Sequence, residues 1–203
     1  LVSLAAPPPE PVGPQISNVL FLPGIKGSRL YNDDINCGVI SCDSKLWDPG
    51  SSEDIQSLFL NPFGKSARTG VYTKEGDVID KVDKKYYDPF IKDMNELQAS
   101  STYNGGKFVW RAAAYDWRLS LDDIITNGVK HGEKIYYGEA TTSTPYIEQT
   151  LKELANKSTT GKVTIIAHSN GGLVTKALLS KLGPEETARL VDKIIFVGVP
   201  QTG

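Results

Sequence analysis

Residues 161–182 read GKVTIIAHSNGGLVTKALLSKL and decide the fold. The segment begins with an apolar, β-branched run over residues 163–166, which predicts a strand buried on both faces. Beyond Gly172 the apolar residues are spaced to line one face of a helix: Val174, Ala177, Leu178 and Leu182. Between the two patterns lies a short turn with Ser169 at its tip. A strand, a tight turn and a helix in this order predict one unit of an α/β sheet.

Small residues flank Ser169 in this turn. Ala167 and Gly171 give the pattern small-x-Ser-x-small, which a sharp turn requires because the helix folds straight back over the strand. Such a turn would raise the serine hydroxyl above the sheet, beside the N–H of Asn170 at the positive end of the helix. We therefore predict that Ser169 is a serine-hydrolase nucleophile and that the Asn170 N–H stabilises the oxyanion. The alternative is a buried or N-capping serine that begins an ordinary helix.

A glycine-containing loop follows the first predicted core strand. The loop reads PGIKGSRL over residues 23–30, and its two glycines allow the backbone to turn sharply and to offer its amides to a ligand. In α/β-hydrolases the loop after the corresponding strand supplies the second oxyanion N–H. The residue after Pro-Gly is Ile25, so we predict this role for the Ile25 N–H. A plain glycine-rich turn is the alternative.

The composition is that of a globular protein with one domain, because 203 residues contain 39% hydrophobic and 23% charged residues. A net charge of −2 argues against a nucleic-acid partner, and no apolar run is long enough to span a membrane. Two cysteines are too few for a zinc site, and we expect neither a metal nor a cofactor. Residues 1–15 are Pro-rich and predict a linker or the remnant of a secretory signal, before a domain over residues 16–203. We therefore expect an extracytoplasmic or secreted location.

Four apolar runs alternate with helical patterns and predict a parallel, doubly wound α/β sheet. The predicted strands cover residues 16–22, 108–115, 163–166 and 191–199. Helices are predicted over residues 86–98 and 119–129, from Thr144-Pro145 onward, and after Ser169 as far as a break at Gly183-Pro184. Thr144 is the expected N-cap of the third helix, with Pro145 at its first position.

Residues 31–85 lack sustained periodicity, and so long an irregular stretch is usually functional or disordered. The stretch contains Trp47 and an apolar cluster: Ile55, Leu58, Phe59, Leu60 and Phe63. It is interpreted as a lid over a lipid-binding groove, or alternatively as a completion of the core. Cys37 and Cys42 lie within it, and they are close enough to close a small disulfide ring if the protein is exported, or are free thiols if it is cytosolic.

Polar residues follow the second predicted strand, in Tyr115-Asp116-Trp117-Arg118. Because α/β folds bind ligands at the carboxyl ends of parallel strands, Asp116 and Arg118 are interpreted as substrate contacts. The alternative is that they pair with each other or cap the following helix.

Four motifs, in the expected order, resemble the lecithin:cholesterol acyltransferase family of α/β-hydrolases, which includes lysosomal phospholipases. They are residues 23–30, Leu46-Trp47-Asp48-Pro49, Tyr115-Asp116-Trp117-Arg118 and residues 167–172. The GPI inositol-deacylase group and bacterial lipases are near neighbours. The resemblance implies hydrolysis or transfer of the acyl group of a lipid or other acyl ester through an acyl-serine intermediate, with transient contact at a membrane surface. It also implies a disulfide-held lid after the oxyanion loop, a role for Cys37, Cys42 and Trp47.

The same family places its catalytic Asp and His after later strands, in the chain order Ser, Asp, His. Residues 1–203 contain two histidines. His168 should point away from Ser169, and His131 is expected in a surface loop. We therefore expect this chain to be the N-terminal portion of a hydrolase with further domains, truncated before its Asp and His and inactive alone. The alternative is a catalytically inactive, hydrolase-like binding or surface module of a larger protein.

Overall fold

The computed structural model describes residues 15–34, 42–79, 86–103, 108–138 and 141–201. In chain order the strands are β1 Asn18–Leu22, β2 Leu30–Asp34, β3 Cys42–Trp47, β4 Val71–Lys74, β5 Trp110–Ala112, β6 Val129–His131, β7 Lys134–Tyr136, β8 Val163–His168 and β9 Val191–Val197. The helices are α1 Ser52–Gln56, α2 Asp88–Tyr103, α3 Leu121–Asn127, α4 Tyr146–Lys157 and α5 Asn170–Leu190.

A four-stranded parallel sheet forms the centre of the fold, in the order β5-β1-β8-β9. Its two inner strands are β1 and β8, and they pair so that Leu20 lies opposite Ile165. Both of these side chains are fully buried, as the apolar runs predicted. The prediction of a parallel α/β sheet is confirmed, and the complete doubly wound arrangement stays a prediction.

Helices cover both faces of this sheet. Side chains alternate along β1, so Leu20 and Leu22 face one side while Val19 and Phe21 face the other. The first face packs against α3, α4 and α5 in the main apolar core. The second face packs against side chains that precede and belong to α2: Tyr87, Phe90, Ile91 and Met94.

A second sheet includes three short strands from the segment that the sequence indicated as irregular. Strands β2, β3 and β4 join β6 and β7 in a five-stranded antiparallel sheet, in the order β3-β2-β4-β7-β6. Aromatic and cationic side chains pack across its strands: Tyr31 stacks on Tyr72, with ring centroids 5.6 Å apart, and the Lys134 ammonium lies 4.4 Å from the Tyr72 ring centroid. The expectation of an irregular stretch is therefore wrong for residues 31–34, 42–47 and 71–74, which form strands, and for the short helix α1, while a lid function for part of the segment stays a prediction.

The apolar cluster of this segment divides between the core and the surface. Leu58 packs against the core of the second sheet, beside Leu30 and Leu46. Phe59 and Phe63 remain 63% and 86% exposed. Leu58 therefore completes a core, as the alternative interpretation expected, whereas Phe59 and Phe63 do not.

One predicted helix boundary is wrong and one predicted helix break is present. Pro145, not Thr144, is the N-cap of α4, and this cap makes no side-chain hydrogen bond. The predicted N-cap role of Thr144 is wrong because the helix begins one residue later than expected. The predicted break in α5 is present, since Gly183 has a φ of 77° and interrupts the helical conformation.

Among the described residues, no helix has both the length and the apolar character that a membrane crossing requires.

Candidate active site

Ser169 lies at the corner between β8 and α5. Its backbone adopts φ 49° and ψ −121°, a conformation that residues with a side chain rarely adopt. Two hydrogen bonds hold the corner: the Ser169 N–H donates to the Val197 carbonyl at 2.9 Å, and the Ser169 carbonyl accepts from the Gly172 N–H at 3.0 Å. The Ser169 side chain is half-buried and forms no capping bond to α5. The alternative interpretation from the sequence was a serine that is either buried or an N-cap bonded to the helix, and the Ser169 side chain is neither.

The small residues around Ser169 allow α5 to approach the strands closely. A Cβ on Gly171 would lie 2.2 Å from the Leu22 carbonyl oxygen, and a Cβ on Gly172 would lie 2.3 Å from the Val199 side chain. Both distances are far below van der Waals contact, so only glycine fits at either position. The sequence pattern therefore reflects close packing of the helix against the end of β1 and the segment after β9.

The glycine loop after β1 lies directly against Ser169. A Cβ on Gly24 would lie 3.1 Å from the Ser169 Cβ and 2.9 Å from Nδ1 of His168. The Gly27 N–H donates to the Gly24 carbonyl at 2.9 Å and closes a tight turn, at whose tip Ile25 is 53% exposed. The structure thus brings together the two segments for which the sequence predicted oxyanion donors.

Two backbone amides beside this contact, those of Ile25 and Asn170, have no acceptor among the described residues. Within the part of the chain that the structure describes, neither the Ile25 N–H nor the Asn170 N–H donates to a backbone or side-chain atom. Asn170 is the first residue of α5, where the amides have no intrahelical partner and the helix dipole favours negative charge. Ile25 follows Gly24 and Asn170 follows Ser169, so each amide belongs to a residue next to the point of contact. Such amides are suited to bind an oxyanion.

Aromatic side chains fix the carbonyl groups of the same loop. Each donates one hydrogen bond to a loop carbonyl: Tyr115 Oη to Pro23 at 2.6 Å, Trp47 Nε1 to Lys26 at 2.9 Å and Trp117 Nε1 to Ser28 at 3.0 Å. The rings of Trp47 and Trp117 also meet edge to face, with centroids 5.4 Å apart. Trp47 therefore bonds to the loop, and its predicted role as a substrate or lid residue stays a prediction.

The His168 ring lies against two tyrosines, Tyr86 and Tyr87, and the sequence predicted only that this side chain points away from Ser169. The Tyr87 hydroxyl lies 2.8 Å from His168 Nδ1 and accepts the Gly24 N–H, also at 2.8 Å. Burial lowers the pKa of His168 and raises the pKa of Tyr87 to about 12, so both groups are neutral at pH 7. We assign the hydroxyl proton of Tyr87 to Nδ1, which places the imidazole proton on Nε2. A cavity of about 430 Å³ lies on this side of the sheet. It is lined by Phe21, Tyr86, Tyr87, Phe90, Ile166, His168 and Val197.

Asp116 and Arg118 form a buried ion pair. The Arg118 guanidinium donates to both carboxylate oxygens, at 2.6 Å and 2.8 Å, and the two side chains are 4% and 3% exposed respectively. Arg118 also donates to the Leu58 carbonyl at 3.2 Å and to Ser66 Oγ at 3.3 Å. The mutual pairing that the sequence left as an alternative is thus present, and a role in substrate contact stays a prediction.

Other predicted residues lie away from Ser169 or outside the description. His131 is exposed and meets the Tyr136 ring at 5.9 Å. Cys37 lies outside the described residues, so the disulfide between Cys37 and Cys42 stays a prediction. In the described ranges, no three His, Cys, Asp or Glu side chains are grouped so that they could hold a metal ion.

The sequence interpretation missed Tyr87. Residues 86–98 indicated only an amphipathic helix, and no pattern linked Tyr87 to a histidine 81 residues further along the chain. The sequence around Tyr87 gives no sign of this role, because its partners lie far away along the chain and meet it only in the fold.

Residues 128–200 match the sequence model of a family described as "Alpha/beta hydrolase of unknown function (DUF900)". The match covers just over a third of the chain and includes β8, Ser169 and α5. No curated protein matches the chain. Together with the parallel sheet, the match supports the α/β-hydrolase superfamily, and the resemblance to the lecithin:cholesterol acyltransferase family stays a prediction.

Proposed function

We propose that this chain carries the nucleophile and the oxyanion-binding amides of a serine hydrolase or acyltransferase that acts on acyl esters. The observation that carries the proposal is the contact between Gly24 and Ser169. This contact supports the proposal because it brings a half-buried serine with a strained backbone close to Ile25 and Asn170, whose amides donate to no atom in the part of the chain that the structure describes. The match to an α/β-hydrolase family over residues 128–200 agrees with this class of chemistry.

In the proposed reaction, Ser169 Oγ attacks the carbonyl carbon of the ester and its proton passes to a general base. Negative charge develops on the former carbonyl oxygen, where the N–H groups of Ile25 and Asn170 donate to it. The C–O bond to the alcohol breaks, the leaving alcohol takes the proton from the base, and the acyl group stays on Ser169. Water, or an acceptor alcohol, then attacks the acyl-serine in the same way and regenerates the hydroxyl.

The general base is assigned to a residue outside positions 1–203. His168 has its Nδ1 bonded to Tyr87, and His131 lies against Tyr136. Neither histidine therefore makes a hydrogen bond with Ser169 among the described residues. The chain order Ser, Asp, His of the family that the motifs resemble agrees with this assignment.

A lipid substrate is proposed because of the segment that contains Phe59 and Phe63. Both rings are mostly exposed. Arg118 bonds to Leu58 and Ser66, on the two sides of this short segment. A surface segment that is fixed at its ends and presents two phenylalanines is suited to transient contact with a membrane. The proposed setting is extracytoplasmic, on the basis of the Pro-rich residues 1–15.

Covalent labelling tests the proposal. The protein encoded by the complete reading frame is treated with a fluorophosphonate, and the modified residue is identified by mass spectrometry. We expect the wild type to be labelled at Ser169 and the Ser169→Ala variant to remain unmodified. Ser180→Ala, which changes an exposed serine on α5, is the matched control and should be labelled like the wild type.

Labelling that persists in Ser169→Ala would reject Ser169 as the nucleophile. A wild-type protein that is folded but unreactive would instead favour the inactive binding module.

A further inference from the structure

We infer that Tyr87 and Tyr115 are positioning residues that hold the glycine loop against Ser169 from two sides, so that the Ile25 N–H is fixed where the oxyanion develops. This inference rests on the proposed function. It concerns two hydroxyl groups that do not touch the substrate in the proposed reaction. Their effect would be exerted through the loop.

The first bridge passes through Tyr87. Its hydroxyl oxygen accepts the Gly24 N–H at 2.8 Å and lies 2.8 Å from Nδ1 of His168, to which we assigned its proton. Gly24 belongs to the loop, and His168 is the residue before Ser169. One hydroxyl group therefore connects the backbone of the glycine loop to β8, the strand that ends immediately before Ser169.

The second bridge passes through Tyr115, which is fully buried. Its hydroxyl donates to the Pro23 carbonyl at 2.6 Å and accepts from Nδ2 of Asn170 at 3.3 Å. Pro23 is the loop residue before Gly24, and Asn170 is the residue after Ser169. The two tyrosines thus connect consecutive loop residues to the two neighbours of Ser169.

Two bridges restrain the loop more than one does. A single hydrogen bond fixes a distance but allows rotation about it, whereas the bonds to the Pro23 carbonyl and from the Gly24 N–H hold both polar ends of one peptide group and so fix its plane. The next peptide group carries the Ile25 N–H, so only the Gly24 torsion angles separate that N–H from the fixed plane. A misplacement of about 1 Å in such a site can cost roughly 100-fold in rate, which is comparable with the loss of an oxyanion donor.

Replacement by phenylalanine removes only the bridge. The Tyr87 ring packs edge to face against Phe21, with centroids 5.0 Å apart, and a phenylalanine ring would keep this contact. The structure also offers two matched controls. Tyr137 is buried and donates to the Ala114 carbonyl at 3.1 Å, away from the loop, while Tyr86 is the exposed neighbour of Tyr87.

The test compares Tyr87→Phe and Tyr115→Phe with Tyr137→Phe and Tyr86→Phe in the protein from the complete reading frame. The measurements are kcat and KM for a short-chain 4-nitrophenyl ester, the rate constant of fluorophosphonate labelling, and the Tm. Rates are normalised to the folded fraction, measured by circular dichroism below the Tm. We expect both bridge variants to lose roughly 10- to 100-fold in kcat and in the labelling rate, with KM changed by less than about threefold.

The controls separate positioning from stability. Tyr137→Phe should lower the Tm by an amount similar to that of the bridge variants and keep the wild-type kcat, and Tyr86→Phe should leave both unchanged. If Tyr87→Phe and Tyr115→Phe behave like Tyr137→Phe, with a lower Tm and an unchanged kcat, the inference is overturned while Ser169 remains the nucleophile. If Ser169→Ala is still labelled, the proposed function fails and the positioning role fails with it.

Discussion

Gly24 and Ser169 are so close that residue 24 has no room for a side chain. A Cβ on Gly24 would lie 3.1 Å from the Ser169 Cβ and only 2.9 Å from His168 Nδ1. Because the loop can approach the corner only in the absence of this carbon, the glycine sets the distance between Ser169 and the amide that follows it. The contact links the two segments of the chain that carry the proposed chemistry.

Replacement of Gly24 by alanine should therefore move the loop away from Ser169. We expect kcat for a soluble ester to fall by about 100-fold, because a small misplacement of the oxyanion donors is costly. Gly138→Ala is the control, since a Cβ there meets no atom within 4 Å. A Gly24→Ala variant with wild-type kcat would show that the loop position does not matter for catalysis.

The buried pair between Asp116 and Arg118 should be a major source of stability once one partner is removed. Asp116→Asn would leave the guanidinium buried without its counter-charge, since both side chains are almost inaccessible. We expect the free energy of unfolding to fall by about 3–5 kcal/mol, measured by urea denaturation. Glu96→Gln, in the exposed pair with Lys92, should change it by less than about 0.5 kcal/mol. Equal effects of the two substitutions would contradict the structural role of the buried pair.

Stability should decrease in mild acid because of His168. Burial lowers the pKa of this histidine in the folded protein below its ordinary value of about 6.5. The unfolded chain then binds the proton more readily, so the contribution is fully present above about pH 6.5 and is lost as the pH falls from there towards the folded-state pKa.

Urea denaturation of the wild type and of His168→Gln at pH 7.5 and pH 5.5 measures this effect. The wild type should lose more free energy of unfolding between the two pH values than the variant does. Tyr86→Phe, which keeps His168 and changes only the tyrosine ring 6.4 Å from it, should follow the wild type. An identical loss in His168→Gln would show that other groups cause the acid sensitivity.

The exposed phenylalanines should matter for lipid in bilayers and not for soluble esters. For the double substitution Phe59→Ser and Phe63→Ser we expect roughly a tenfold loss of activity on phospholipid vesicles, because apolar area that would enter the membrane surface is removed. Activity on a short-chain 4-nitrophenyl ester should be unchanged. Equal loss on both substrates would indicate a folding defect, and no loss on vesicles would remove the support for membrane contact.

The parts of the fold that the sequence predicted correctly are encoded within short, continuous stretches. Strand β8, the corner at Ser169 and the start of α5 follow from periodicity and from small residues inside a single segment of about twenty residues. The proximity of the glycine loop to Ser169 could be predicted because each of the two segments contains residues that indicate a turn at the end of a strand. The positions of their amides then follow from the parallel pairing of β1 with β8.

The second sheet could not be predicted in the same way. Strands β6 and β7 have three residues each, too few to show alternation, and β4 pairs Tyr72 with Tyr136, far away in the sequence. The Tyr87 bridge could not be predicted for the same reason, since its partners lie in the loop after β1 and at the end of β8 and meet only in the folded chain. Long-range pairing of short elements leaves no local pattern to interpret.

The most direct test of the central claim is a crystal structure of the protein from the complete reading frame after reaction with a phosphonate. The phosphonyl oxygen occupies the position of the oxyanion in the tetrahedral adduct. We expect a bond from Ser169 Oγ to phosphorus, with this oxygen about 2.7–3.1 Å from the amide nitrogens of both Ile25 and Asn170. An adduct on another residue, or a phosphonyl oxygen that contacts neither amide, would contradict the claim.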